Sequence, residues 1–574
     1  MARDPNSGRP PARAPRGDAP RPKPRPSKPS GDRHSGSSGK PYRANADARP
    51  NRSDDDRREA KRGPARPHQK SASSDKRASD DRNPRGPKRH GDRGPARRPD
   101  TRRDRNQDRK PARSDNRNQD RDQPKPDSPP KPSGLLARHL ALLTTEAVIR
   151  DRLSLDRALP QLLTDTHFAA LDARDKAFAR LLAMTVLRRH ADLERVVGQF
   201  LEKPLAADAI RIRLILLAGA AELTILTVAP HAAISNAVEL TRLSPKTAHF
   251  DRLANAILRR VSERGAQLLA DMSDPASNIP PWMIAGWQQA YGEESAARIA
   301  EASLSEAALD LTLKDPATAE KWAGELEAII LPTGTLRRAA GGRIENLPGY
   351  DAGAWWVQDA GAALPAQILA PASGERVLDL CAAPGGKTAQ LVSRGADVTA
   401  VDMSLDRMQR LSTNLERLSL DAHTASSDAT TWRGGEPFDR ILIDAPCSAT
   451  GTIRRHPDIL HLKREGDTRH LIDVQNRLLR NAATQLRPGG TLVYCTCTLE
   501  PAECEERIEA FLANPGARHV TYARKPITPD EVGGQTGWIT PAGDLRTFPY
   551  DLPREEPGLS GLDGFYAARL IRTS

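Results

Sequence analysis

The chain passes from a predicted strand into a glycine turn at Val377-Leu378-Asp379-Leu380-Cys381-Ala382-Ala383-Pro384-Gly385-Gly386-Lys387-Thr388. The apolar residues at its start are typical of a buried strand, and glycine lets a ligand approach the backbone of the turn closely. In open α/β sheets, ligands bind at the edge where the strands reach their carboxyl ends. The stretch therefore predicts an α/β domain whose ligand site begins at Cys381.

Two later apolar runs each stop at a cysteine. They are Ile441-Leu442-Ile443-Asp444-Ala445-Pro446-Cys447 and Leu492-Val493-Tyr494-Cys495-Thr496-Cys497. Both thiols are expected where a buried strand ends and a loop begins, on the edge that carries the glycine turn. Strand ends that bring together a glycine loop, an acid and two thiols indicate a cofactor-dependent enzyme that uses covalent catalysis.

From Trp355 onward, predicted strands alternate with amphipathic helices. The four strands are predicted at residues 376–380, 397–401, 440–444 and 491–494. One predicted helix has an apolar face formed by Met408, Leu411, Leu415 and Leu418. A second has an apolar face formed by Val474, Leu478, Ala482 and Leu486, and it is predicted to end at Arg487-Pro488-Gly489-Gly490. This alternation predicts an α/β fold with a doubly wound, Rossmann-like parallel sheet, and Phe565 and Tyr566 are interpreted as core residues of a final strand.

The glycine turn limits the choice of cofactor. Gly386-Lys387-Thr388 resembles the end of a phosphate-binding P-loop, but that motif requires a glycine where this chain has Cys381. The chain also lacks the glycine pattern of dinucleotide-binding domains, so ATP and dinucleotides are both disfavoured. Asp402 ends the next strand, where an acid can bind ribose hydroxyls, and Asp428 is placed to meet an adenine amino group. A nucleoside without phosphates fits best, and S-adenosylmethionine is the common one, while the alternative for Asp402 is a helix cap.

Composition divides the chain into four predicted segments. Residues 1–134 contain no Leu, Ile, Val, Phe or Trp and hold 38 Lys and Arg against 19 Asp and Glu, so a disordered Arg- and Pro-rich basic tail is expected. Residues 135–269 are predicted to form an all-helical domain, and residues 270–350 a small linking α/β subdomain. Residues 351–574 form the predicted sheet domain. Because the net charge of the whole chain is +13, all of the excess positive charge lies in the tail. A polycation of this kind suits nucleic acid, and a solubilising tail is the alternative.

The five cysteines all lie after residue 380, in a chain without a signal peptide, and this indicates a reducing compartment. The most apolar stretch, from Leu214 to Val228, is too short to span a bilayer. We expect a cytoplasmic protein with no membrane partner. The oligomeric state is left open, with a monomer favoured.

Several of these motifs resemble those of the Sun family of RNA cytosine-5 methyltransferases. The matching stretches are Asp379 to Thr388, Asp444 to Gly451, Thr496-Cys497, Arg454-Arg455-His456-Pro457-Asp458 and Gly564 to Leu570. The helical region, with Ala173-Arg174-Asp175 and the stretch from Leu253 to Arg260, is similar to the NusB-like domain found in bacterial members. The resemblance covers residues 135–574. At Thr312-Leu313-Lys314 this chain departs from the Arg-x-Asn that the family usually carries.

The resemblance implies a role for each residue of the site. Carbon 5 of cytosine is a poor nucleophile until a thiolate adds to carbon 6. By position, Cys497 is the expected nucleophile, Cys447 assists release, Asp444 supports ring nitrogen 3, and Lys387 favours the thiolate or steadies Asp444. The residues expected to bind S-adenosyl-L-methionine are Cys381, Ala382, Ala383, Pro384, Gly385, Gly386, Lys387, Asp402, Arg407, Asp428 and Asp444.

The expected activity is methylation of a cytosine in structured RNA, and the NusB-like architecture points to small-subunit ribosomal RNA. Two alternatives stay open, namely the same chemistry on transfer RNA and a catalytically inactive RNA-binding assembly factor. Arg454, Arg455 and His456 are expected to contact RNA phosphates, or else to form a solvated charged run. Cys381 and Cys495 are interpreted as inert, and Cys504 as an exposed helix residue. No metal is expected, although a zinc site formed by the four last cysteines is the alternative.

Overall fold

The computed structural model of the protein describes residues 133–516 and 519–574. The predicted basic tail at residues 1–134 lies outside the described residues, except for its last two positions, where the first helix begins. In the described part of the chain, no helix combines the length and the apolar character needed to cross a bilayer.

The first region is all-helical, as the sequence predicted. Its helices are α1 (Ser133–Ile149), α2 (Leu155–Leu162), α3 (Thr166–Ala169), α4 (Ala173–Arg188), α5 (His190–Gly198), α6 (Ile210–Thr224), α7 (Pro230–Arg242) and α8 (Asp251–Met272). The predicted face of α6 that contains Ile212, Ile215 and Leu216 is buried in one apolar core with residues of the other helices. A Cβ atom on Gly219 would lie 2.7 Å from a methyl group of Leu258, so glycine is what allows α6 and α8 to pack closely.

A small antiparallel sheet follows this region. Its segment contains α9 (Pro281–Tyr291), α10 (Glu293–Ser303), β1 (Leu309–Leu313), α11 (Ala319–Leu326), β2 (Ile329–Ile330), β3 (Leu336–Arg338) and β4 (Trp355–Val357). The strand order is β2-β3-β1-β4, so the fourth strand lies beyond residue 350, the predicted end of the linking subdomain. A buried ion pair between Arg337 and Asp310 crosslinks β3 and β1, and Arg337 also donates to the carbonyl oxygen of Gly561 near the C-terminus.

The last region is the predicted α/β domain. Its elements are α12 (Ala360–Leu369), β5 (Arg376–Leu380), α13 (Gly386–Ser393), β6 (Asp397–Asp402), α14 (Leu405–Leu418), β7 (His423–Ser426), β8 (Phe438–Asp444), α15 (Ile459–Leu462), α16 (Asp467–Ala483), β9 (Leu486–Thr496), α17 (Glu505–Ala513), β10 (Tyr522–Arg524), β11 (Leu545–Thr547) and β12 (Phe565–Arg572). The strand order of the sheet is β10-β12-β9-β8-β5-β6-β7, with β11 paired to β12. The predicted doubly wound arrangement is confirmed for the five strands from β9 to β7, which are parallel.

The edge of the sheet next to β9 differs from the all-parallel prediction. Strand β12 runs antiparallel to β9, with Ala567 opposite Cys495, and β10 and β11 run antiparallel to β12. Phe565 and Tyr566 are buried at the start of β12, as predicted for a final strand. Antiparallel strands can be connected without a helical crossover, so the alternating pattern that marks parallel strands is absent from this part of the sequence.

The predicted helix that ends at residues 487–490 is wrong at its C-terminus. Helix α16 ends at Ala483, and Leu486 already belongs to β9. The Pro-Gly-Gly run at 488–490 lies inside β9, where the pairing with β8 is irregular between Phe438 and Arg440. A Cβ atom on Gly490 would lie 2.8 Å from the carbonyl oxygen of Asp439, so this glycine permits a bulge rather than a turn.

The order of the strands reverses between β5 and β8. Strands β6 and β7 follow on one side of β5, and β9 lies on the far side of β8. This reversal opens a crevice at the carboxyl ends of β5 and β8. The loop at residues 381–385 follows β5, and the loop that carries Cys447 follows β8.

Candidate active site

The two predicted catalytic thiols face each other at the carboxyl edge of the sheet. Strands β8 and β9 are adjacent and parallel, with Asp444 opposite Cys495. The Sγ atoms of Cys447 and Cys497 are 3.5 Å apart. Both side chains are partly exposed, whereas Cys495 and Cys504 are fully buried. The prediction that Cys447 and Cys497 share this edge is confirmed, and the prediction that Cys504 is exposed is wrong because it packs under the first turn of α17.

A buried ion pair lies beside the thiols. The Lys387 ammonium, at the start of α13, lies 2.8 Å from Oδ2 of Asp444, at the end of β8. Burial disfavours the charged form of Lys387, but the Asp444 carboxylate and the neighbouring Cys495 and Cys497 outweigh it, so the pKa of Lys387 lies above its ordinary value. The ammonium also lies 4.9 Å from the centre of the Phe565 ring. Lys387 is therefore a fixed positive charge at neutral pH.

The surroundings of Cys447 differ from those of Cys497. The pKa of Cys447 is raised well above its ordinary value by its hydrogen bond with Cys497, by burial and by the charges of Cys497 and Glu503. On the Cys497 side lie two cations, because this thiol contributes to the raised pKa values of both Lys387 and Arg455. The field therefore favours the thiol form of Cys447.

The glycine turn requires a backbone conformation that glycine adopts readily. Gly385 has φ of +103°, and a Cβ atom there would lie 2.9 Å from Leu411. Below the turn, the fully buried Asp379 accepts a hydrogen bond from Thr388 Oγ1 at 2.7 Å. Burial raises the pKa of Asp379 to about 7. Its other oxygen is buried and has no hydrogen-bond partner among the described residues.

Asp402 and Arg407 support the turn. The two carboxylate oxygens of Asp402 accept hydrogen bonds from the backbone N–H groups of Ala383 at 3.3 Å and Ser404 at 3.0 Å. Arg407 pairs with Asp402 at 3.4 Å and donates to the carbonyl oxygen of Ala383. The side chain that caps α14 is Ser404, so the alternative interpretation of Asp402 as a helix cap is wrong. Asp428 is exposed, and a hydrogen bond from the backbone N–H of Thr430 lowers its pKa.

A cavity of about 390 Å³ adjoins the glycine turn. Its lining includes Pro384, Gly385, Gly386 and Lys387 of the turn, and residues near β4 such as Trp356. Asp444 and Arg455 also line it. Asp402, Arg407, Asp428 and the two thiols do not, so the cavity joins only part of the predicted site.

The basic residues that follow the Cys447 loop have partners within the protein. Arg454 is 2% exposed, donates to the carbonyl oxygen of Ser560 and receives a bond from Arg188 at its own carbonyl. Arg455 forms a bidentate ion pair with the fully buried Asp563. His456 lies 3.8 Å from Asp156 in α2. The prediction of phosphate contacts is wrong for Arg454, because its guanidinium is inside the protein, and Arg455 already has an acidic partner.

Sequence reasoning missed Gln358 and Glu503. Gln358 accepts a hydrogen bond from Trp356, donates to Gln390 and lies against Gly386 of the turn. Glu503 lies behind the two thiols and contacts the residues that follow them. Its neighbours Glu500 and Glu505 have the same side chain, so no local pattern distinguishes Glu503. In the described ranges, no group of three His, Cys, Asp or Glu residues could hold a metal ion.

Comparisons with known proteins agree with this fold. The family described as 16S rRNA methyltransferase RsmB/F matches residues 366–571, and the NusB family matches residues 136–263. The chain is similar to ribosomal RNA small subunit methyltransferase B of Enterobacter sp. strain 638, with 34% identity over 450 residues, which are 76% of this chain and 98% of the relative. The same enzyme of Salmonella typhi is 35% identical over equal shares.

A solved structure shows the same fold. The crystal structure of PH0851 gives a TM-score of 0.57 with 19% identity and covers 77% of this chain and 99% of that one. The doubly wound sheet, the glycine turn and the family matches together define an RNA methyltransferase with a NusB-like helical domain. The chain belongs to the RsmB/F methyltransferase family.

Proposed function

We propose that this protein transfers a methyl group from S-adenosylmethionine to carbon 5 of a cytosine in small-subunit ribosomal RNA. The observation that carries the proposal is the 3.5 Å approach of the Cys447 and Cys497 sulfurs beside the Lys387–Asp444 ion pair. A thiol pair next to a cation suits a reaction that forms and then breaks a carbon–sulfur bond. The names of the relatives, which are small-subunit ribosomal RNA methyltransferases, support the choice of substrate.

The chemistry divides between the two thiols. The Cys497 thiolate forms a bond to carbon 6 of the ring, and the electron pair released from the double bond makes carbon 5 nucleophilic. Carbon 5 then takes the methyl group, whose bond to the sulfonium sulfur breaks and leaves a neutral thioether. A base removes the carbon 5 proton, the double bond forms again and the Cys497 thiolate is expelled. Cys447 assists this release, and Asp444 supports ring nitrogen 3 in the first step.

The residues present fit a nucleoside cofactor that supplies the methyl group. Gly385 and Gly386 give the turn a backbone without side chains, and the buried Asp379 keeps one carboxylate oxygen without a partner among the described residues. Asp402, at the end of β6, is 2% exposed and lies against the turn. We assign the cofactor to residues 381–387 with Asp402, Arg407, Asp428 and Asp444. A base in a folded RNA must leave its stack to reach thiols at the end of a strand.

The proposed division of labour follows the four predicted segments. The helical segment and the basic tail bind the RNA, and residues 351–574 carry out the transfer. The linking segment is fixed to the C-terminal region by the buried Arg337, which pairs with Asp310 and donates to the carbonyl oxygen of Gly561. Because ribosomal RNA is the proposed substrate, the proposed place of action is the cytoplasm.

Bisulfite mapping of cellular RNA tests the proposal. A strain that lacks the gene is complemented with the wild-type protein or with Cys497→Ala. We expect a cytosine of small-subunit ribosomal RNA to resist conversion only with the wild-type protein. A protected cytosine in transfer RNA instead would assign the transfer RNA alternative. Equal conversion in all strains would leave the assembly factor as the function.

A further inference from the structure

A fully buried carboxylate lies behind the two thiols. Glu503 is 0% exposed, and its oxygens accept hydrogen bonds from the backbone N–H of Ser448 at 3.0 and 3.2 Å. The Ser448 hydroxyl also donates to it, as do Thr498 Oγ1 at 3.3 Å and the Gln475 amide at 3.0 Å. Although burial raises the pKa of Glu503, these donors favour its charged form.

The donors are the chain neighbours of the catalytic cysteines. Ser448 directly follows Cys447, and Thr498 directly follows Cys497. The Gln475 amide also donates to the carbonyl oxygen of Pro446, the residue before Cys447, at 3.0 Å. The backbone of Glu503 is fixed in turn, because Tyr494 donates its hydroxyl to the Glu503 carbonyl oxygen at 2.7 Å. One side chain thus ties the loop after β8 to the turn after β9.

We propose that Glu503 is a positioning residue that holds the Cys447 and Cys497 sulfurs in contact by binding the residue that follows each of them. The inference rests on the proposed function, because it assigns Glu503 a part in the two-thiol reaction. Glu503 touches neither the base nor the cofactor in this scheme. It acts through Ser448 and Thr498.

The same carboxylate acts electrostatically on Cys447. The pKa of Cys447 is raised by its hydrogen bond with Cys497, by burial and by the charges of Cys497 and Glu503, whereas the backbone N–H of Ala449 lowers it. Tyr494 is a further titratable neighbour, because Cys447 contributes to its raised pKa. Glu503 therefore favours the thiol form of Cys447.

Single-turnover kinetics test the positioning role. Glu503→Gln removes the charge and replaces one acceptor with a donor, while Glu506→Gln makes the same change at an exposed position three residues later. The probe is deproteinised small-subunit ribosomal RNA from the strain that lacks the gene. We expect methyl transfer by Glu503→Gln to slow by roughly 100-fold, with the dissociation constants of RNA and S-adenosylmethionine within about threefold of wild type. Wild-type kinetics in Glu503→Gln, or a loss explained by weaker binding, would overturn the proposal.

The pH profile of thiol alkylation tests the electrostatic part. Trypsin cleavage after Arg440 and Arg454 isolates Cys447 on a peptide that contains no other cysteine. We expect iodoacetamide to modify Cys447 at lower pH in Glu503→Gln than in wild type, and at unchanged pH in Glu506→Gln. An unchanged profile in Glu503→Gln would contradict the inference.

Two further readouts keep the outcomes distinct. Thermal melting shows whether Glu503→Gln folds. If it does not, Thr498→Val is used instead, because it removes one hydroxyl of the network at nearly constant volume. We expect Thr498→Val to slow methyl transfer by a smaller factor than Glu503→Gln would. Wild-type kinetics in a folded Thr498→Val would then count against the proposal.

If the wild-type protein itself transfers no methyl group to carbon 5, the proposed function fails first, and the alkylation profile still decides whether Glu503 acts on Cys447.

Discussion

The ammonium of Lys387 lies 2.8 Å from the carboxylate of Asp444, at the point where α13 begins and β8 ends. The Lys387 side chain is 9% exposed, and Asp444 also receives a contact from the Cys495 thiol at 3.6 Å. This pair links the glycine turn to the strand that leads to Cys447. A substitution at Lys387 therefore affects both the proposed cofactor turn and the proposed thiolate.

Lys387→Met should reduce methyl transfer at neutral pH by about 100-fold or more. The change removes the cation beside Cys497 and leaves Asp444 without its partner. Because a thiolate forms more readily at high pH, part of the activity should return as the pH rises. The measurement is the single-turnover rate between pH 6.5 and 9.5. Lys525→Met, which removes an exposed lysine, is the control and should keep the wild-type profile.

Cys497→Ala should abolish methyl transfer and leave the binding of S-adenosylmethionine nearly intact. The substitution removes the sulfur proposed to attack carbon 6 but no contact of the glycine turn. Isothermal titration with the cofactor and a methyl-transfer assay give the two readouts. Cys495→Ala is the matched change at a buried thiol in β9, two residues earlier. Activity close to wild type in Cys497→Ala would transfer the nucleophile role to another residue.

Cys447→Ala should accumulate a covalent complex between RNA and protein. Without the second thiol, the bond from Cys497 to carbon 6 forms but is released slowly. The complex is detected as a slowly migrating band on a denaturing gel under turnover conditions. The double variant Cys447→Ala with Cys497→Ala should show no band. Absence of the band in the single variant as well would count against the release role of Cys447.

Asp379 gives stability a defined pH dependence. Its pKa in the folded protein is about 7, because it is fully buried, whereas an Asp in an unfolded chain titrates near 3.9. Between these values the folded state holds one more proton than the unfolded state, so the free energy of unfolding falls as the pH rises, by up to about 1.4 kcal/mol per pH unit.

Asp379→Asn should remove this slope. Urea unfolding of the wild type and the variant at pH 5, 6 and 7 measures the difference in their free energies of unfolding. We expect the wild type to lose stability relative to Asp379→Asn across this window. Asp406→Asn, which changes an exposed Asp at the start of α14, should run parallel to the wild type. Parallel curves for Asp379→Asn would show that Asp379 is already charged at pH 5.

The parts of the fold that the sequence predicted are those with a local pattern. The apolar face of α14, with Met408, Leu411 and Leu415, repeats at helical spacing and is buried as predicted. Strands β5 and β8 are largely apolar, with Val377 and Leu378 in β5 and Ile441 to Ile443 in β8, because both faces of a parallel sheet are covered. The site residues Cys447 and Cys497 were predicted to lie together because parallel strands end at the same edge.

The parts that the sequence did not predict depend on contacts between distant segments. Arg454 has the same charge as an RNA-binding residue, and only the tertiary structure shows that Arg188 and Ser560 enclose it. Glu503 reaches the Cys447 loop only in the folded chain, because Ser448, which donates to it, lies 55 residues earlier in the sequence.

Deletion of residues 1–132 should weaken RNA binding and reduce its salt dependence without changing the modified cytosine. The cut leaves α1 intact, because that helix begins at Ser133. The deleted segment contains all of the excess positive charge, and each phosphate that a protein neutralises steepens the fall of affinity with salt. Filter binding of small-subunit ribosomal RNA between about 50 and 300 mM KCl gives the slope of affinity against salt concentration. A slope equal to that of the full-length protein would mean that the tail contacts no phosphate, and its role would then be to keep the protein soluble.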